Sequence, residues 1–259
     1  MSKLLTVLAA ALLLNGCSTL MPLSTRGATK PLDLTGVTRV NVITFDGNVR
    51  ITNDARVTNA GAVALTLRGN TGYRVERVDG TLFVRGFDVG PWVPGHGVDV
   101  TLTLPAGIGE DVVTTNGAVV VTGGAPEVTA RTTNGPVSVA GVGASTVKVA
   151  STNADVTVRD VTGPVEVSTT NGAASVLDVT LPAASLSSVE STNGPVRMSG
   201  LRVPSGVRIT ADGEAGRTHV TWPDATVRVD GGHAEVEVPG VAPATVKLST
   251  TNDGINVTE

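Results

Sequence analysis

A short phrase of two hydroxyl residues, an asparagine and usually a glycine returns along the chain. It is seen at Thr114-Thr115-Asn116-Gly117, Thr132-Thr133-Asn134-Gly135, Ser151-Thr152-Asn153, Thr169-Thr170-Asn171-Gly172, Ser191-Thr192-Asn193-Gly194 and Thr250-Thr251-Asn252. A period near nineteen residues marks a stacked-repeat architecture, in which each unit buries its apolar face only against its neighbours. The phrase is embedded in a wider pattern. Six and four positions before each asparagine, and three and five after it, the residues are mostly Val, Ile or Leu, as in Val147, Val149, Val156 and Val158 around Asn153. The same register continues where the motif is lost, with centres at Gly213 and His233, so the predicted centres fall at 116, 134, 153, 171, 193, 213, 233 and 252.

Alternation with a period of two is the strand signature, and its break at Asn-Gly is a turn. Each repeat therefore reads as strand, Asn-Gly turn, strand and second turn. The predicted fold class is all-β, a right-handed parallel β-helix or solenoid of two-strand coils with about 19 residues per coil. A series of antiparallel hairpins is the structural rival, because Asn-Gly is also a strong hairpin signal. Coils are favoured because hairpins give no reason for the asparagine to recur in phase with the apolar template. The parity of the preceding strand turns Asn116, Asn134, Asn153, Asn171, Asn193 and Asn252 inward as a structural ladder. Thr114, Thr132, Ser151, Thr169, Ser191 and Thr250 form a hydroxyl column beside it.

The organisation reads as a signal segment at 1–16, a flexible tether at 17–36, a less regular β region at 37–110 and regular coils at 111–259. The first segment has one lysine, an apolar run from Leu4 to Leu14 and then Asn15-Gly16-Cys17, too short to span a membrane. Ser18 to Gly36 is rich in Ser, Thr, Pro and Gly. Asp46 fits the coil template, whereas Asp79-Gly80 suits either a coil or a hairpin. The stretch Gly90 to Gly97 carries two prolines and breaks strand and helix alike.

Leu14-Asn15-Gly16-Cys17 resembles the lipoprotein box of bacterial envelope proteins, in which the cysteine is lipidated and becomes the new N-terminus. The resemblance implies membrane attachment through Cys17. With Ser18 next, it also implies the outer membrane, at its periplasmic or surface face. Cys17 is the one cysteine in the chain, so no internal disulfide forms.

A net charge of −4 gives no electrostatic footprint for nucleic acid. On the outward face, five positions before each centre, stand Asp111, Thr129, Lys148, Glu166, Ser188, Arg208, Arg228 and Lys247. Arg208, Arg228 and Lys247 are expected to stack about 4.8 Å apart as a basic strip able to hold an anionic glycan. Trp92, an aromatic on an irregular loop, is the other candidate contact, for a partner envelope protein. Catalytic β-helices bring carboxylates together from neighbouring coils, but Glu166, Glu190, Asp230 and Glu237 occupy different columns or have neutral and basic neighbours, which argues against an enzyme. His96, His219 and His233 match no metal-ligand spacing, and no cofactor motif is present. The exposed threonine column at 115, 133, 152, 170 and 192 lacks the second threonine column of ice-binding solenoids.

The phrase Thr-Thr-Asn-Gly-x-Val-x-Val, preceded by the strand Thr101-Leu102-Thr103-Leu104-Pro105, resembles a bacterial family of candidate adhesins, β-solenoid domains of unknown function. The resemblance runs from Val37 to Val257. It implies a non-catalytic adhesion or scaffolding module of the cell envelope, or alternatively a regulatory or sensing partner of another envelope protein; a carbohydrate-active β-helix enzyme is the remote third reading.

Overall fold

The computed structural model describes residues 25–90, 95–143, 146–223 and 225–259. The apolar run from Leu4 to Leu14, Cys17 and Trp92 lie outside the described residues. Every regular element among the described residues is a strand, and two sheets of eleven and twelve strands face each other across one core.

In chain order the strands are β1 (Thr25–Asp33), β2 (Arg39–Ile43), β3 (Val49–Asn53), β4 (Ala60–Arg68), β5 (Thr71–Val78), β6 (Thr81–Asp88), β7 (Gly97–Leu104) and β8 (Gly109–Val113). They continue with β9 (Val119–Thr122), β10 (Glu127–Thr132), β11 (Val137–Ala140), β12 (Thr146–Ser151), β13 (Val156–Thr162), β14 (Val165–Thr169), β15 (Ala174–Thr180) and β16 (Leu186–Ser191). The last are β17 (Val196–Ser199), β18 (Val207–Asp212), β19 (His219–Thr221), β20 (Thr226–Asp230), β21 (His233–Val238), β22 (Ala244–Thr250) and β23 (Ile255–Thr258).

From β8 to β17 the chain winds as expected. Even-numbered strands pair in parallel in the twelve-stranded sheet, and odd-numbered strands do so in the eleven-stranded sheet. Equivalent residues align without slip, as in Val147 beside Val128 and Val165. The template residues Val128, Val147, Val165, Val189, Val137, Val156 and Val196 are buried between the sheets. Small branched side chains suit a narrow space between two pleated surfaces.

Both ends depart from a simple winding, and in the same way. The last coil, β22–β23, lies directly on β16–β17, while the earlier β18–β19 stacks outside it. At the other end β2–β3 lies directly on β8–β9, and the later β6–β7 stacks outside it. Antiparallel strands finish each end: β5 on β6, β4 and β1 on β7, and β21 and β20 on β18. The centre at His233 is therefore a hairpin and not a coil, and Asp79-Gly80 joins β5 to β6 as a hairpin with positive φ at both residues.

The segment read as a tether is, from Thr25 to Asp33, a strand paired along its whole length with β4. Seven of its nine residues are exposed, so the pairing rests on backbone hydrogen bonds that leave no apolar pattern to read.

Candidate interaction face

The recurring phrase makes the turn that sets one long edge of the molecule. Its first hydroxyl points inward and works twice. Ser151 Oγ donates to the carbonyl of Gly135 one coil away (3.0 Å) and accepts from the amide of Ala154 (3.2 Å). Thr132, Thr169 and Ser191 repeat this geometry, so the buried turn groups are satisfied coil by coil. The second hydroxyl faces solvent, as at Thr133, Thr152, Thr170, Thr192 and Thr251.

The asparagines form a continuous chain of side-chain hydrogen bonds, each Nδ2 donating to the Oδ1 of the preceding coil: Asn153 to Asn134 and Asn171 to Asn153 at 2.6 Å, Asn193 to Asn171 at 2.7 Å, and Asn252 to Asn193 at 2.6 Å. Asn134 donates to Asn116, and Asn116 to the carboxylate of Asp46, which ends the row. The row is exposed, not inward. The chain bends between the second hydroxyl and the asparagine, so the strand parity does not carry through. The glycine that follows takes the inward place. At Gly117, Gly135, Gly172 and Gly194 φ is not positive, but a Cβ would stand 1.8–2.2 Å from a carbonyl oxygen of the adjacent coil. Close stacking, and not a left-handed conformation, excludes side chains there.

Along this edge a trough of about 570 Å³ crosses the outer face of the twelve-stranded sheet. Its hydroxyl wall is Thr133, Thr152, Thr170, Thr192 and Thr251, and its floor steps from Arg131 through Ala150 and Ser168 to Glu190. Arg131 and Glu190 are exposed and, among the described residues, form no side-chain hydrogen bond or ion pair. Three strand spacings, about 14 Å, separate them. The parallel row nearer the strand starts carries Lys148 beside Glu166, paired at 3.0 Å.

The expected basic strip is not assembled. Because β21 runs antiparallel between β18 and β20, Glu237 lies beside Arg208 (3.2 Å) and Glu235 beside Arg228. Lys247 lies beside Ser188 and Thr210. The three cations thus stand among acids and hydroxyls. His233 is not a ladder member; it sits at the hairpin turn, 2.6 Å from Asp212, whose carboxylate holds the imidazole above its usual range. His96 is buried against Phe45, with Nε2 3.3 Å from Asp88 and 3.7 Å from Asp46.

The reading of the repeat missed one buried pair. Asn53 Nδ2 donates to Glu110 Oε1 (2.6 Å) inside the core, leaving Glu110 Oε2 and Asn53 Oδ1 without partners. Burial pushes the Glu110 carboxyl up to about 7, against the lowering effect of the Asn53 hydrogen bond. The signal was present: Glu110 occupies the position six before Asn116, which the template reserves for an apolar residue.

No protein of curated function matches the chain. Among solved structures, a candidate cell adhesion protein from Clostridium sporogenes is similar, with 13% identity, TM-score 0.43, and 91% of this chain and 99% of that one covered. A candidate adhesin from Bacteroides fragilis is similar at 14% identity and TM-score 0.43, with 90% and 97% covered. A candidate lipid-binding protein from Parabacteroides distasonis is similar at 9% identity and TM-score 0.44, again with 90% and 97% covered. The Toastrack DUF4097 family matches residues 33–259, from the end of β1 through the last coil, and the chain belongs to that family.

Proposed function

We propose that the protein is a lipid-anchored, non-catalytic module of the bacterial cell envelope, held to the membrane through Cys17 and acting in adhesion or scaffolding through the outer face of its twelve-stranded sheet. The observation that carries this reading is the trough: a straight, hydroxyl-lined surface with one unpaired cation and one unpaired anion, presented by strands that hydrogen bonding holds in fixed register. Such a surface offers many weak polar contacts at fixed spacing, which suits a contact face better than a reaction centre. Two acyl chains would anchor it stably, since each buried methylene contributes about 0.8 kcal/mol.

A second reading, a regulatory partner docking at the solenoid's end, is favoured by one feature. Beside Gly90, Tyr73, Phe87 and Val89 line a cavity of about 690 Å³, with Phe87 and Val89 exposed. Fractionation and binding separate the claims. Cys17→Ala is expected to move the protein out of the membrane pellet. Thr152→Lys with Thr170→Lys is expected to abolish attachment to envelope material at unchanged thermal stability, whereas loss only on deleting residues 90–97 would favour the second reading. Retention of Cys17→Ala in the pellet would contradict the anchor.

A further inference from the structure

The twelve-stranded sheet has a midpoint between β12 and β14, with six strands on each side. Its outward residues form rows that run the length of the molecule. One row reads Arg74, Arg85, Ile43, Val113, Arg131, Ala150, then Ser168, Glu190, Ser249, Asp212, His233, Asp230. The adjacent row reads Glu76, Phe83, Asn41, Asp111, Thr129, Lys148, then Glu166, Ser188, Lys247, Thr210, Glu235, Arg228.

Folding these rows about the midpoint sets opposite charges on one another. Lys148 meets Glu166, Arg131 meets Glu190, Asp111 meets Lys247, Glu76 meets Arg228, and Arg74 meets Asp230. In these two rows no two acids and no Lys or Arg pair coincide; Arg85 meets His233, whose imidazole is already held by its own Asp212 at 2.6 Å, and Ile43 meets Asp212. The innermost uncharged positions are small, Ala150 against Ser168 and Thr129 against Ser188. A third row, two residues nearer the strand starts than the Lys148 row, holds the like pair Arg39 and Arg208, each already neutralised by its own carboxylate, Glu127 or Glu237.

A surface whose charge changes sign about its own centre is self-complementary under a two-fold axis, the condition for an isologous dimer. We propose that this face binds a second copy of the same chain, sheet against sheet, about an axis parallel to the strands between β12 and β14. The coil order is then reversed in the partner while the rows stay aligned. Arg131 of one copy lies over Glu190 of the other, and Glu190 over Arg131. Each finds the counter-ion that it lacks within its own chain, about 14 Å being too far to pair. The small residues at the centre give the two sheets room to approach. The strands from β8 to β22, with five spacings of about 4.8 Å and strands of about 17 Å, offer on the order of 400 Å² per copy. That is below the roughly 800 Å² per partner of a stable complex, so the dimer is weak and sensitive to salt. Lipid anchoring in a common membrane would raise its occupancy through effective concentration.

The inference rests on the reading of this face as the contact surface. It is tested on the full chain in detergent by sedimentation velocity from about 10 µM to 1 mM. The wild type is expected to dimerise. Arg131→Glu and Glu190→Arg should each weaken the dimer by at least about tenfold, because each places like charges over one another twice, and the double variant should recover to within about threefold. Mixing Ala150→Cys with Ser168→Cys protein should give a disulfide-linked heterodimer in excess of either homodimer. A wild type that stays monomeric, a dimer indifferent to the single reversals, or a double variant no better than the singles would overturn it. If a monomeric wild type still adhered, and Arg131→Glu abolished adhesion to a glycan or to another protein, the contact face would stand and the second copy would be the wrong occupant.

Discussion

At the scale of single residues, three members of the phrase do different physical work. The first hydroxyl satisfies buried turn amides, the asparagine joins an exposed row, and the glycine lets carbonyl oxygens of adjacent coils approach. Their substitutions should separate accordingly. Asn134→Ala removes solvent-exposed hydrogen bonds and is expected to cost about 0.5–1 kcal/mol. Gly135→Ala puts a Cβ 1.9 Å from the Gly117 oxygen and is expected to cost more than about 3 kcal/mol, since backbone on both coils must move. Urea unfolding of the two variants checks the order, and equal costs would contradict the assigned roles. Glu110 gives a prediction in pH. Its carboxyl, at about 7 when folded against an ordinary 4.5, keeps a proton that the unfolded chain releases. Stability from this group is therefore full below about 4.5 and is lost as pH rises through about 7, a change of roughly 3 kcal/mol. Glu110→Gln is expected to leave melting unchanged at pH 4 and to raise it clearly at pH 8. An equal shift at both pH values would show that the Glu110 proton does not set this dependence.

At the scale of elements, the strands between β8 and β17 were legible because parity and spacing act within each coil. Val147 and Val149 announce an inward face whichever strand lies beside them. Which coil neighbours which was not legible from that pattern, because β18 or β22 would satisfy β16 equally well as a parallel partner. The asparagine row held the missing signal. Its amides link only between adjacent coils, so the loss of Asn at Gly213 and its return at Asn252 places Asn252 next to Asn193. Strand β1 was hidden for another reason: an edge strand held by backbone groups needs no alternating pattern. The trough was half legible. The hydroxyl column and the neighbouring column from Arg131 to Glu190 follow from the repeat register, whereas what lies beyond Glu190 on that face, Ser249 first, depends on the stacking order. The expected cluster of Arg208, Arg228 and Lys247 failed because one hairpin reversed direction and inserted Glu235 and Glu237 among them.

At the scale of the whole molecule, both ends share one device: the terminal coil is tucked one place inward and antiparallel strands cover what lies outside. This blunts the open edges of two large sheets, where repeat proteins are most exposed to edge-to-edge association. It also fixes the arrangement of side chains on the twelve-stranded face, on which the proposed contact surface depends. The stacking order is open to direct measurement by pulsed electron resonance with spin labels at Thr133 and Thr251, both exposed on the trough wall. With β22 lying on β16, four strand spacings separate these sites, about 19 Å. Coils stacked in simple chain order would place six spacings between them, about 29 Å. A narrow distribution near 19 Å is the predicted result, and one centred near 29 Å would contradict the fold and the face built upon it.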